Sequence, residues 1–158
     1  MITFVTAEVN SGKTTWMRQD FESQNNADGF LSVKTFKNGL HSGYNLLHLQ
    51  SGQTQPFIRK PGYLEQNWDE AFRIRDVYSF NRPGFDFAQH IARQALHNKI
   101  ELFYFDEVGP LELQGKGFNL LFRKMLASNI NLKVVVRKSL LKDVCQAFSI
   151  KEHKVIEL

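Results

Sequence analysis

One cysteine in 158 residues leaves no partner for an internal disulfide, so the fold must be held by its core. Cys145 itself falls in the apolar pattern Leu141, Val144, Cys145, Phe148 and reads as a core position. Long apolar runs are also missing. Leu102 to Phe105 and Val134 to Val136 are among the longest, far short of the roughly 20 residues that a spanning helix needs, which excludes such a helix. No basic side chain precedes Lys13, so the start of the chain lacks the charged region of a secretory signal, and a cytoplasmic location is expected. The net charge is +4, yet no basic run exceeds two residues (Arg59-Lys60, Arg123-Lys124, Arg137-Lys138). Dispersed charge of this kind argues against a nucleic-acid partner. The histidines show no metal-ligand spacing, and His90 and His97 share one helix face, so no protein-bound transition metal is expected. Repeats and linker-like tracts are absent as well, which leaves residues 1–158 as one expected domain.

What is present is material for a core: 42% hydrophobic residues, with 14 phenylalanines as large apolar pieces. Ile2 to Thr6 is a β-rich apolar run. A glycine-containing turn follows, then a helical stretch from Lys13 to Glu22 with Trp16, Met17 and Phe21 on one face. From Phe30 to about Arg59, extended segments are broken by Lys37-Asn38-Gly39, a strong hairpin signal, and by Gln50-Ser51-Gly52-Gln53, which predicts an antiparallel β-meander. Tyr63 to Asp76 has no clean period, and Val77 to Phe80 reads as a short strand. Beyond it, helices are expected at Phe85 to His97, Gly117 to Ser128 and Leu140 to Phe148. Strands are expected at Ile100 to Phe105, Lys133 to Val136 and Lys154 to Glu157. With the meander set aside, strands and helices alternate, as in a mostly parallel sheet covered by helices. The expected class is α/β with an inserted meander.

The turn between the first strand and helix reads Ala7-Glu8-Val9-Asn10-Ser11-Gly12-Lys13-Thr14, which fits the phosphate-binding pattern [AG]-x-x-x-x-G-K-[ST] in the strand–loop–helix setting that it demands. Backbone N–H groups of such a loop, with the positive end of the following helix, wrap phosphate oxygens. Lys13 then reaches the β- and γ-phosphates, the Thr14 hydroxyl coordinates Mg²⁺, and Thr15 adds a hydrogen bond to the α-phosphate. Ala7 replaces the commoner first glycine, so that corner needs no glycine-only backbone angle. A second apolar strand, Leu102-Phe103-Tyr104-Phe105, ends in Asp106-Glu107, the arrangement of a Walker B motif. Asp106 is the expected second Mg²⁺ residue and Glu107 the group that takes a proton from the attacking water.

The stretch Asp106-Glu107-Val108-Gly109-Pro110-Leu111-Glu112-Leu113 resembles the D-E-[IV]-G-x-[ML]-E-L signature of small P-loop nucleoside-triphosphatases of the THEP type. Gly12-Lys13-Thr14-Thr15 matches that family's G-K-T-T, Gly29-Phe30 resembles the start of its meander, and Gly43-Tyr44 through Leu49-Gln50-Ser51-Gly52 resembles a further stretch in which His48 stands where an acidic residue is usual. The resemblance implies a RecA-like (ASCE) sheet ordered 5-1-4-3-2. It also implies Mg²⁺-dependent hydrolysis of nucleoside triphosphates, ATP and GTP among them, to diphosphates. In that order the strand Lys133 to Val136 lies between the two motif strands, which makes Arg137 a candidate to neutralise transition-state charge, with Lys116 as a rival. Glu112 either orients water, buttresses its loop or simply opens a helix. Two other functions use the same loop: a small-molecule kinase, and a nucleotide-gated switch that binds a protein partner through the meander, with Phe57 and Trp68 as exposed anchors.

Overall fold

A computed structural model describes residues 1–7 and 12–158 of the chain. The central strands are those whose sequences are apolar throughout. In β1 (Ile2–Thr6), Phe4 and Val5 point to opposite faces and both are fully buried; in β7 (Leu102–Phe105) the same holds for Phe103, Tyr104 and Phe105. Burial on both faces is what parallel strands require, because helices cover each side. Beside them run β8 (Asn131–Val135) and β9 (Lys154–Glu157), both parallel to β1.

The chain between β1 and β7 carries α1 (Lys13–Glu22), β2 (Ala27–Lys37), β3 (Leu40–His48), β4 (Thr54–Arg59), β5 (Glu70–Ile74), β6 (Tyr78–Asn81) and α2 (Arg82–His97). After β7 come α3 (Pro110–Leu113), α4 (Asn119–Ala127) and, past β8, a 3₁₀ turn (Lys138–Leu140) leading into α5 (Leu141–Ala147). The nine strands of the described residues form one sheet ordered β5-β6-β4-β3-β2-β7-β8-β1-β9. Numbering only the parallel members β1, β2, β7, β8 and β9 from one to five gives the order 5-1-4-3-2 that the resemblance implied, with β8 between β1 and β7.

β2 belongs to both halves of the sheet. Its residues Ala27–Gly29 pair in parallel with Leu102–Tyr104, and Phe30–Lys37 pair antiparallel with β3. Gly29 makes the close approach possible, since a Cβ there would stand 2.2 Å from the Tyr104 carbonyl oxygen. The meander extends beyond the expected limit at Arg59: β5 and β6 add a hairpin that carries it to Asn81. β6 overlaps the short strand expected at Val77 to Phe80, whereas β5 and the hairpin pairing escape a periodicity reading because a bulge lies between Glu70 and Phe72 and because the turn uses Arg75 and Asp76, both at positive φ, instead of Asn-Gly.

Two apolar clusters sandwich the sheet. α2, α4 and α5 bury Ile91, Phe122, Met125 and Val144 against Phe30, Phe103 and Phe105 on one face. α1 lays Met17 on Val5, Leu31, Tyr104 and Val135 on the other. α1 is further pinned by Asp20, whose Oδ2 accepts the Tyr104 hydroxyl at 2.5 Å and pairs with the Lys133 ammonium. Cys145 is only half-buried at the edge of the larger cluster, and burial pushes its thiol pKa up. Among the described residues, no helix is long and apolar enough to cross a membrane.

Candidate functional site

Because β1, β7 and β8 are parallel, the segments leaving their C-terminal ends emerge on one edge of the sheet, and that edge collects the residues singled out by the sequence. Ala7, just past β1, is buried. Glu8, Val9, Asn10 and Ser11 lie outside the described residues. Gly12 caps α1 with φ 80° and ψ 24°, and its carbonyl accepts the Trp16 N–H at 2.9 Å. Among the described residues a Cβ on Gly12 would meet nothing within 4 Å, and the left-handed backbone there favours glycine. Lys13 and Thr14 follow, half-buried, in the first turn of α1, and Thr15 is exposed.

Past β7, Asp106 is half-buried and held from the neighbouring strand β2: Ser32 Oγ donates to Oδ2 at 2.5 Å and the Ser32 N–H donates to Oδ1 at 3.1 Å. Burial raises the Asp106 pKa to about 6, the bonds from Ser32 oppose that rise, and the neighbouring Glu107 charge reinforces it. Part of the carboxylate's acceptor capacity remains, and a carboxylate oxygen and the Thr14 hydroxyl are both donors of the kind that a hard cation such as Mg²⁺ prefers. The residues present therefore fit that ion.

Glu107 and Arg137 meet across the end of β8, with Arg137 Nε donating to Glu107 Oε1 at 3.1 Å. The side chains are 37% and 52% exposed respectively, and pairs this open to water contribute about 0–1 kcal/mol, so the contact is readily exchanged for another. Tyr44 on β3, opposite Lys34 of β2, has its hydroxyl pKa raised by burial first, then by Tyr78, Glu107 and Asp106, which places the ring within the field of the acid pair.

Glu112 is 5% exposed, with Oε1 accepting the Gly109 N–H and Oε2 the Phe118 N–H, each at 2.9 Å, while its own carbonyl accepts Asn119 Nδ2 at 2.6 Å. It braces the 109–119 loop from within. Lys116 is exposed on the same loop, its backbone N–H bonded to the Leu111 carbonyl at 2.9 Å. Phe57, expected as an exposed anchor, is 2% exposed and wedged among Phe80, Phe85 and Phe118. Trp68 is half-buried, its indole N–H bonded to Ser79 Oγ at 2.9 Å. Exposed apolar side chains of the meander include instead Phe36 and Leu40, flanking the Asn38-Gly39 turn, with Leu64 and Val77 farther along.

Ser32 and Tyr44 are the residues at this edge to which the sequence reading gave no role. The available signal for Ser32 was a hydroxyl set in the otherwise apolar run Phe30-Leu31-Ser32-Val33.

A search against curated proteins gives no match. Two solved structures resemble the fold: THEP1 from the hyperthermophile Aquifex aeolicus, with a TM-score of 0.75 and 22% identity over 100% of this chain and 90% of that one, and a human cancer-related nucleoside triphosphatase, with a TM-score of 0.69 and 22% identity over 99% and 87%. A family model described as NTPase matches residues 2–158. The chain belongs to that NTPase family, in agreement with the THEP-type resemblance of its motifs.

Proposed function

We propose that the chain is a Mg²⁺-dependent nucleoside-triphosphate phosphohydrolase that converts triphosphates such as ATP and GTP to diphosphate and phosphate. The observation that carries this reading is the meeting of Glu107 and Arg137 at 3.1 Å on the sheet edge where β1 hands over to Lys13 and Thr14. It brings a carboxylate able to take a proton and a cation able to meet phosphate charge to one place.

In this reading the 7–14 loop and Lys13 bind the phosphate chain, and Thr15 steadies the α-phosphate. Thr14 and Asp106 hold Mg²⁺, which when bound neutralises charge on the β- and γ-phosphates. Glu107 accepts the proton of the water that attacks the γ-phosphate. Arg137 exchanges its weak bond to Glu107 for the phosphate, which both frees the base and offsets the charge that builds during transfer. Residues 1–158 act as one catalytic domain, and a cytoplasmic setting supplies the substrates. A protein partner on the meander would meet Phe36 and Leu40. The test is phosphate release from the common triphosphates with Mg²⁺ and no other acceptor. Release at the buffer rate would refute hydrolysis and favour transfer to another acceptor or a partner-gated switch.

A further inference from the structure

The Asp106 carboxylate is gripped by a strand other than its own. β2 pairs with β7 only over Ala27–Gly29 and then runs past Phe105, the last residue of β7. Its other edge is taken by β3, with Ser32 opposite Leu46. Beyond the end of β7 the Ser32 N–H turns to Asp106 Oδ1 at 3.1 Å, so a carboxylate oxygen takes the place that a strand carbonyl would fill.

That bond alone satisfies the strand. The second bond, from Ser32 Oγ to Oδ2 at 2.5 Å, answers no need of the ladder. One residue therefore occupies both oxygens of one carboxylate, and turning the carboxylate plane breaks both bonds together. An alanine would suit the apolar run around position 32 and would keep the first bond while losing the second.

We propose that Ser32 is a positioning residue for the divalent cation: its paired bonds fix the plane of the Asp106 carboxylate, so that the lone pairs left over are already oriented when Mg²⁺ arrives with the nucleotide. Partners of this outer kind orient metal-binding carboxylates generally, and their loss costs metal affinity even though they never touch the ion. The role also gives the meander a direct link to the reaction centre, because β2 is the strand that both halves of the sheet share. The inference rests on the proposed Mg²⁺ site.

The experiment titrates Mn²⁺, followed by its paramagnetic resonance signal, into protein saturated with a non-hydrolysable ATP analogue, for wild type, Ser32→Ala and Ser32→Thr. Ser32→Ala should bind the cation about 10-fold more weakly, the lower end of the range for such partners. Ser32→Thr, which keeps the hydroxyl, should stay near wild type, and all three should bind the analogue alike in chelator. Cation affinity of Ser32→Ala equal to that of wild type would overturn the assignment, as would an equal loss in Ser32→Thr. If Ser32→Ala fails to give a cooperative melt, Ser32→Cys carries the same test with a weak donor of similar size. A wild type that binds no cation would refute the Mg²⁺ reading itself, a result distinct from a variant that behaves as wild type.

Discussion

The parallel strands and the antiparallel extension share β2, yet they use their side chains for different ends. In the parallel half, the residues of the proposed site follow strand ends along the chain: Lys13 and Thr14 after β1, Asp106 and Glu107 after β7, Arg137 after β8. In the extension, β3 to β6 put Leu46, Phe57 and Phe80 into the core, and the charges of Glu107 and Asp106 are felt there by the Tyr44 hydroxyl. The difference teaches that activity and stability should respond to substitutions in different halves of one sheet.

Lys13→Ala should break the parallel half most severely, removing most nucleotide affinity and turnover, since a charge-assisted contact to phosphate is lost at the centre of the loop. Binding by titration beside phosphate release checks it, and unchanged turnover would reject the assigned loop. Phe57→Ala is the counterpart in the extension. It should cost about 3–5 kcal/mol in denaturant unfolding, as for other buried aromatic truncations, while the folded fraction keeps its KM. Arg137→Ala should lower kcat by about 10- to 100-fold and leave KM nearly alone, the signature of a group that matters when charge builds in the transition state. A change confined to KM would make Arg137 an ordinary binding residue.

Asp106 sharpens the comparison from the stability side. Its folded pKa of about 6 lies above the ordinary aspartate value, so the metal-free fold binds this proton more tightly than the unfolded chain does. Stability should therefore fall as pH rises from about 4 to about 6, and the loss should persist at neutral pH. Asp106→Asn removes the charge and should stabilise the metal-free protein at pH 7 by up to about 3 kcal/mol, at roughly 1.4 kcal/mol per pKa unit, while abolishing Mg²⁺-dependent turnover. Melting at pH 4.5 and pH 7 checks this, the variant gaining more at the higher pH.

The same division explains what could be read from sequence. β1 and α1 run over the residues that their apolar periods predict, because a buried parallel strand or a one-sided helix writes its environment directly into local pattern. β5 was missed because a bulge breaks its alternation and a turn at Arg75-Asp76 lacks the usual residues. α3, four residues long and held by Glu112, is too short to show a period. Phe57 was expected as an exposed anchor, whereas α2 packs Gly84 against its ring, a contact that local pattern does not show. The acid pair was legible as a strand end, but its grip by Ser32 is a contact across 74 positions, which the lone hydroxyl in the apolar run Phe30-Leu31-Ser32-Val33 marks as unusual without naming its partner.

The central claim is that Glu107 takes the proton of the attacking water. It is tested most directly by Glu107→Gln, which keeps size and hydrogen-bonding reach but removes the basic carboxylate. Nucleotide affinity with Mg²⁺ and single-turnover hydrolysis should be measured side by side on wild type and variant. The account predicts affinity within about twofold and hydrolysis lower by about 10²- to 10⁴-fold, the usual cost of losing a positioned base. Hydrolysis within about threefold of wild type, well inside that range, would contradict it.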